Sequence, residues 1–87
     1  MADKLHFNLV SPEKELFSGD VDMVEAPGAE GMFGVLPNHA PFMTLLGSGV
    51  LTVKHGAAVH RFTVQGGFLQ VVSNRVRVVA EHVAPAA

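Results

Sequence analysis

Cysteine, tryptophan and tyrosine are absent from this 87-residue chain. Without cysteine, no disulfide can staple the fold and no thiolate can hold a metal. Charged residues make up only 16% of the chain and the net charge is −2, which argues against the basic footprint of a nucleic-acid binder. No apolar run approaches the ~20 residues of a membrane-spanning helix. The N-terminus lacks a basic segment followed by an apolar stretch, so no signal peptide is visible and a cytosolic compartment is the default expectation. No segment keeps a helical hydrophobic period over about 11 residues. What is abundant is apolar side chain: 48% of residues are hydrophobic, and Phe, Leu, Val and Met must fill the core. The length allows one domain, which buries only about 60–65% of the surface of its unfolded chain.

The apolar residues alternate with period two. Leu5, Phe7 and Leu9 face one way against His6, Asn8 and Val10, which predicts a strand with one buried face. A short piece through Leu16 and Phe17 follows the break at Ser11-Pro12-Glu13-Lys14. After the turn signal Ser18-Gly19-Asp20, Val21, Met23 and Glu25 are read as one face of a second strand ending at Pro27. Phe42–Leu46 reads as a strand entered through Pro41. Val50–Lys54 and Ala58–Gln65 form a hairpin about His55-Gly56, and Phe68–Val72 and Arg75–Ala80 another about Ser73-Asn74, with a bend at Gly66-Gly67 between them. Turn signals recur about every 8–12 residues, the spacing of an all-β sandwich or barrel. The predicted inward set is Leu5, Phe7, Leu9, Val21, Met23, Leu51, Val53, Phe62, Val64, Leu69, Val71, Val76 and Val78. Residues 1–83 are read as the domain and residues 84–87, Ala-Pro-Ala-Ala, as a flexible tail.

The stretch Pro27–Pro41 organises the rest. It combines three prolines, three glycines and the apolar Met32, Phe33, Val35 and Leu36. Proline and glycine specify its backbone tightly. A solvated connection has no need of four apolar side chains in five positions, so this stretch either plugs its own sandwich or presents an apolar surface to a partner.

Catalytic chemistry finds no purchase. His6, His39, His55, His60 and His82 are not paired at metal-ligand spacing, so no metal site is expected. Ser11, Ser18, Ser48 and Ser73 sit in turns without a nucleophile-elbow pattern. Gly28-Ala29-Glu30-Gly31 lacks the Lys-Ser/Thr ending and the helix of a phosphate-binding loop. No catalytic residue, cofactor or ATP site is expected.

Six stretches, in matching order and spacing, carry a resemblance: Leu9-Val10-Ser11-Pro12-Glu13; Phe17-Ser18-Gly19; Gly28-Ala29-Glu30-Gly31; Gly34-Val35-Leu36-Pro37-Asn38-His39-Ala40-Pro41; Gly66-Gly67-Phe68-Leu69-Gln70-Val71; and Val76-Arg77-Val78-Val79-Ala80-Glu81. Together they cover nearly the whole chain, which resembles the epsilon subunit of F-type ATP synthases, called delta in mitochondria.

The resemblance implies a flattened β-sandwich of about ten short strands at the foot of the rotating central stalk. It implies a non-catalytic rotor subunit that links gamma to the polar loops of the c-ring and helps couple proton translocation to ATP synthesis. Glu30, Gly31, Met32, Phe33 and His39 would face the ring; Ser11 and Thr44 would lie on or near the gamma side. Met32 stands where some relatives carry an acid, so an apolar ring contact is expected there. Membrane association would come only through the complex, at the cytoplasmic face of a bacterial inner or other energy-transducing membrane. The family usually continues into a C-terminal helical hairpin, which bears the inhibitory function and, in some members, an ATP site. This chain stops at Ala87, so neither is expected of it. The rival reading is a free-standing sandwich that binds a small ligand or glycan, though tryptophan and tyrosine, the usual sugar-stacking side chains, are missing.

Overall fold

The computed structural model describes residues 4–86, all of it strand and connection. The eight strands are β1 (Leu5–Val10), β2 (Glu15–Val21), β3 (Met23–Gly28), β4 (Gly31–Val35), β5 (Phe42–Leu45), β6 (Ser48–His55), β7 (Ala58–Val72) and β8 (Arg75–Pro85). They follow one hydrogen-bonded path, β2-β1-β8-β7-β6-β3-β4, with β5 added alongside β7.

Two long strands turn this path into a sandwich. The C-terminal half of β7 pairs with β5 through residues 68–71 and its N-terminal half pairs with β6 through residues 58–65, while β8 accompanies both halves. One layer is therefore β2, β1, the first half of β8, the second half of β7, and β5. The other is β4, β3, β6, the first half of β7 and the end of β8. Counted by layer, that is five strand segments in each, the ten short strands that the family resemblance implies.

The bend lies at Gly66 and Gly67, with φ of 71° and 109°. A Cβ on Gly67 would stand 1.9 Å from the Val79 carbonyl oxygen, so only glycine allows the strand to cross between layers while keeping its pairing with β8. Strand β1 lies parallel to β8, and a bulge at Leu9/Val10 shifts its register with β2 before the last pair, Val10 with Glu15.

Eleven of the thirteen predicted inward residues are buried; the exceptions are Met23 and Phe62. Met23 is half-buried because the alternation slips by one at Asp22, between β2 and β3. The Asp22 N–H donates to the Lys54 carbonyl at 2.7 Å, and a carboxylate oxygen accepts from Gly56 N–H at 2.6 Å. That anchoring bends the chain, so Val24 and Ala26 take the inner face and Glu25 turns outward to Lys54, 3.3 Å away. Phe62 faces inward but is half-buried, packed against the core from its margin.

The expected tail gives way to strand. Ala84 and Pro85 pair with Thr63 and Phe62, and Ala86 N–H donates to the Arg61 carbonyl at 3.0 Å. Residue 87 lies outside the described residues.

Aromatic clusters pack at two margins of the sandwich. On one, Phe17 packs against Phe7, Phe62 and His60, with ring centroids 5.7, 6.3 and 5.1 Å away. On the other, Phe42 packs edge-on to Phe33 at 5.8 Å and against His39 at 4.8 Å. Such pairings add about 0.5–1.5 kcal/mol each beyond area burial.

Candidate functional site

The organising stretch is a hairpin followed by a loop. Its tip at Ala29-Glu30 joins β3 to β4, and apart from that tip only Leu36–Pro41 lies outside strands. Gly31 opens β4 with φ of 139°, a conformation that favours glycine. The tip is tied to the other layer: Ala29 N–H donates to the Leu45 carbonyl at 3.2 Å, and Gly28 bridges Leu46.

Strand β4 is the edge of one layer and β5 the edge of the other, and between them runs an open groove of about 790 Å³. Its middle is spanned by the Phe33 and Phe42 rings. Met32, Met43 and Leu45 stand along it, exposed to 59%, 63% and 68%. Glu30 lies at the tip end; His39 enters from the loop, its Nδ1 donating to the Ala40 carbonyl at 2.7 Å. Unpaired edges and bare apolar side chains of this kind suit a protein–protein contact.

All five residues assigned to the ring by resemblance, Glu30, Gly31, Met32, Phe33 and His39, line this groove. Thr44, assigned to the gamma side, lines it too. Ser11 does not. It lies beyond β1 in the turn before β2, where its Oγ accepts the Lys14 N–H at 3.3 Å, and β8 and β7 separate it from β5.

Met43 and Leu45 were not singled out from the sequence. Thr44 pairs with buried Leu69 and so faces inward, which turns its two neighbours outward. The signal was the run Phe42-Met43-Thr44-Leu45-Leu46, apolar at every position but Thr44, which a strand with one solvated face does not need. Leu45 also starts an apolar row across the outer face of its layer. Successive pairings give Leu45, Phe68, Val79 and Val10, followed toward the other end of the strands by Met43, Gln70, Arg77 and Asn8.

The histidines are dispersed, and among the described residues none joins a cluster able to hold a metal. His6 lies 3.3 Å from Asp20 on the outer face, and His55 is exposed beside the Gly56 turn.

The fold is thus a two-layer β-sandwich domain whose open side is an apolar groove between two edge strands. Residues 4–86 match the family model of the ATP synthase delta/epsilon chain, beta-sandwich domain, and the chain belongs to that family. It is 62% identical over 84 residues to an ATP synthase epsilon chain of Caulobacter vibrioides, covering 97% of this chain and 98% of that one. It is also 62% identical over 82 residues to an ATP synthase epsilon chain of Hyphomonas neptunium, but spans only 61% of that longer relative. Among solved structures, a Euglena gracilis mitochondrial ATP synthase (OSCP/F1/c-ring) contains a chain that superposes with a TM-score of 0.88 at 24% identity, over 94% of this chain and 53% of that one. A Tetrahymena thermophila central stalk/c-ring structure gives 0.81 at 18% identity, over 97% and 68%. At those identities the two structures establish the fold.

Proposed function

We propose that this chain is a non-catalytic central-stalk subunit of an ATP synthase, joining gamma to the polar loops of the c-ring. Torque then passes between proton translocation and nucleotide chemistry carried out elsewhere. The observation that carries this reading is the groove itself: Met32, Met43 and Leu45 stand exposed between two edge strands, beside the residues the family resemblance assigns to the ring. Glu30, Gly31, Met32, Phe33 and His39 form the ring-facing surface. Thr44 marks where it meets the gamma side, and Ser11 belongs to the gamma side at the far margin of the same layer. The apolar row Leu45–Phe68–Val79–Val10 joins those two points. The subunit is held at the membrane only through the complex, peripherally, on the cytoplasmic face of a bacterial inner or other energy-transducing membrane.

Met32→Asp tests the assignment. A carboxylate forced into an apolar contact is left desolvated and unpaired, at a cost of several kcal/mol. Assembly with gamma and the c-ring should weaken at least tenfold, and proton-driven ATP synthesis should fall with it. The isolated domain should keep its melting temperature, because Met32 is exposed in it. Normal assembly and coupling by this variant would remove Met32 from the contact.

A further inference from the structure

The connection from Leu36 to Pro41 carries His39 to the groove, yet it lies outside any strand. Its hold on the rest of the molecule is a pair of asparagines. The Asn38 N–H donates to Asn74 Oδ1 at 2.5 Å, and Asn74 Nδ2 donates back to Asn38 Oδ1 at 3.2 Å. Both residues occupy the left-handed region, with φ of 68° and 60°, which asparagine tolerates better than most side chains. Asn74 is itself fixed. With Ser73 at φ 50° it forms the two-residue turn between Val72 and Arg75, and its carbonyl accepts the His6 N–H at 2.8 Å. The clasp therefore ties the loop to the β7–β8 hairpin and to β1. His39 is bracketed between that clasp on one side and Ala40 and the Phe42 ring on the other.

We propose that Asn74 is a positioning residue for the groove: its side-chain amide holds Asn38, and through it His39, in the geometry a docking partner meets. Asn74 does not line the groove, so its effect is exerted through the loop. A loop ordered beforehand spares the partner the entropy of ordering it on binding. The inference rests on the reading of the groove as a docking surface.

The test uses the full chain and a detergent-solubilised gamma–c-ring complex as the probe. Asn74→Gly keeps the left-handed backbone and removes the amide, and with it both hydrogen bonds of the clasp. This variant should speed hydrogen exchange at the Asn38 and His39 amides and leave exchange at Leu69 and Val78 unchanged. Affinity for the complex should fall roughly three- to tenfold, the range expected for one freed side chain and its backbone. Asn74→Asp keeps the acceptor for the Asn38 N–H and should recover most of the affinity. His39→Ala, measured in parallel, separates the two claims. If it binds like the parent, His39 is not part of the docking surface and this inference fails, while the docking reading itself stands or falls with Met32→Asp. If it binds weakly while Asn74→Gly binds normally, the inference alone is overturned. A gain in exchange that spreads to Leu69 and Val78 also overturns it, since Asn74 would then be a general stabiliser.

Discussion

Asp22 shows how one exposed side chain can redirect a strand. Its carboxylate accepts the Gly56 N–H at 2.6 Å and the Lys4 ammonium, drawing the β2–β3 junction to the β6–β7 turn. The Gly56 hydrogen bond first, and then Lys4, hold its pKa below the usual carboxylate value. A group whose folded pKa is depressed contributes stability above its unfolded value, near pH 4, and loses it as pH falls through the folded value. The parent chain should therefore lose stability on acidification below about pH 4. Asp22→Asn should lower stability at pH 7 and flatten that acid-side slope, as read from urea unfolding at pH 7, 4 and 2.5. An unchanged slope would show that the carboxylate does not hold the junction. Sequence alternation alone placed Met23 inward at this point. The bend that puts Val24 there depends on partners 32 and 34 residues away, at Lys54 and Gly56, which no local pattern reveals.

At the scale of the element, glycines decide where the sheet bends, and they do so for different reasons. A Cβ on Gly67 would collide with the Val79 carbonyl at 1.9 Å, whereas one on Gly56 would meet open space and only the φ of 60° opposes it. Gly56→Ala should then cost about 1–2 kcal/mol, the left-handed penalty. Gly67→Ala should cost about 3 kcal/mol or more, because the backbone of β7 or β8 must move. Thermal denaturation of the two variants checks the order; equal losses would mean that β8 shifts freely at Val79. Gly66-Gly67 is legible in the sequence as a bend. That it bends one continuous strand between two layers, with pairing to β8 kept on both sides, is a property of long-range pairing.

For the whole molecule, stability lies in sixteen buried apolar side chains, with no buried polar or charged residue among the described ones. Phe7 is the largest fully buried side chain, and Phe62 sits at the margin with Phe17 and His60. Phe7→Ala should cost about 3–5 kcal/mol through lost burial and a cavity. Phe62→Ala should cost roughly 2 kcal/mol, since part of its ring already meets water. Chemical denaturation ranks them, and a larger loss at Phe62 would mean that the ring cluster, and not the central core, limits unfolding. The apolar groove is the other consequence of this architecture: a sheet path that ends in edge strands on both layers leaves an open side.

The sequence by itself determined the all-β class, most of the core and the family. Period-two alternation reports which side chain faces inward strand by strand, and the glycine and proline stretches carry the family pattern. The tertiary structure decided which edges oppose each other. It set β4 beside β5, turned Met43 and Leu45 outward into the same groove as Met32, and placed Asn38 against Asn74 across 36 residues of chain. Those relations follow from strand order and register, which arise from pairing between distant segments and leave no mark in local alternation.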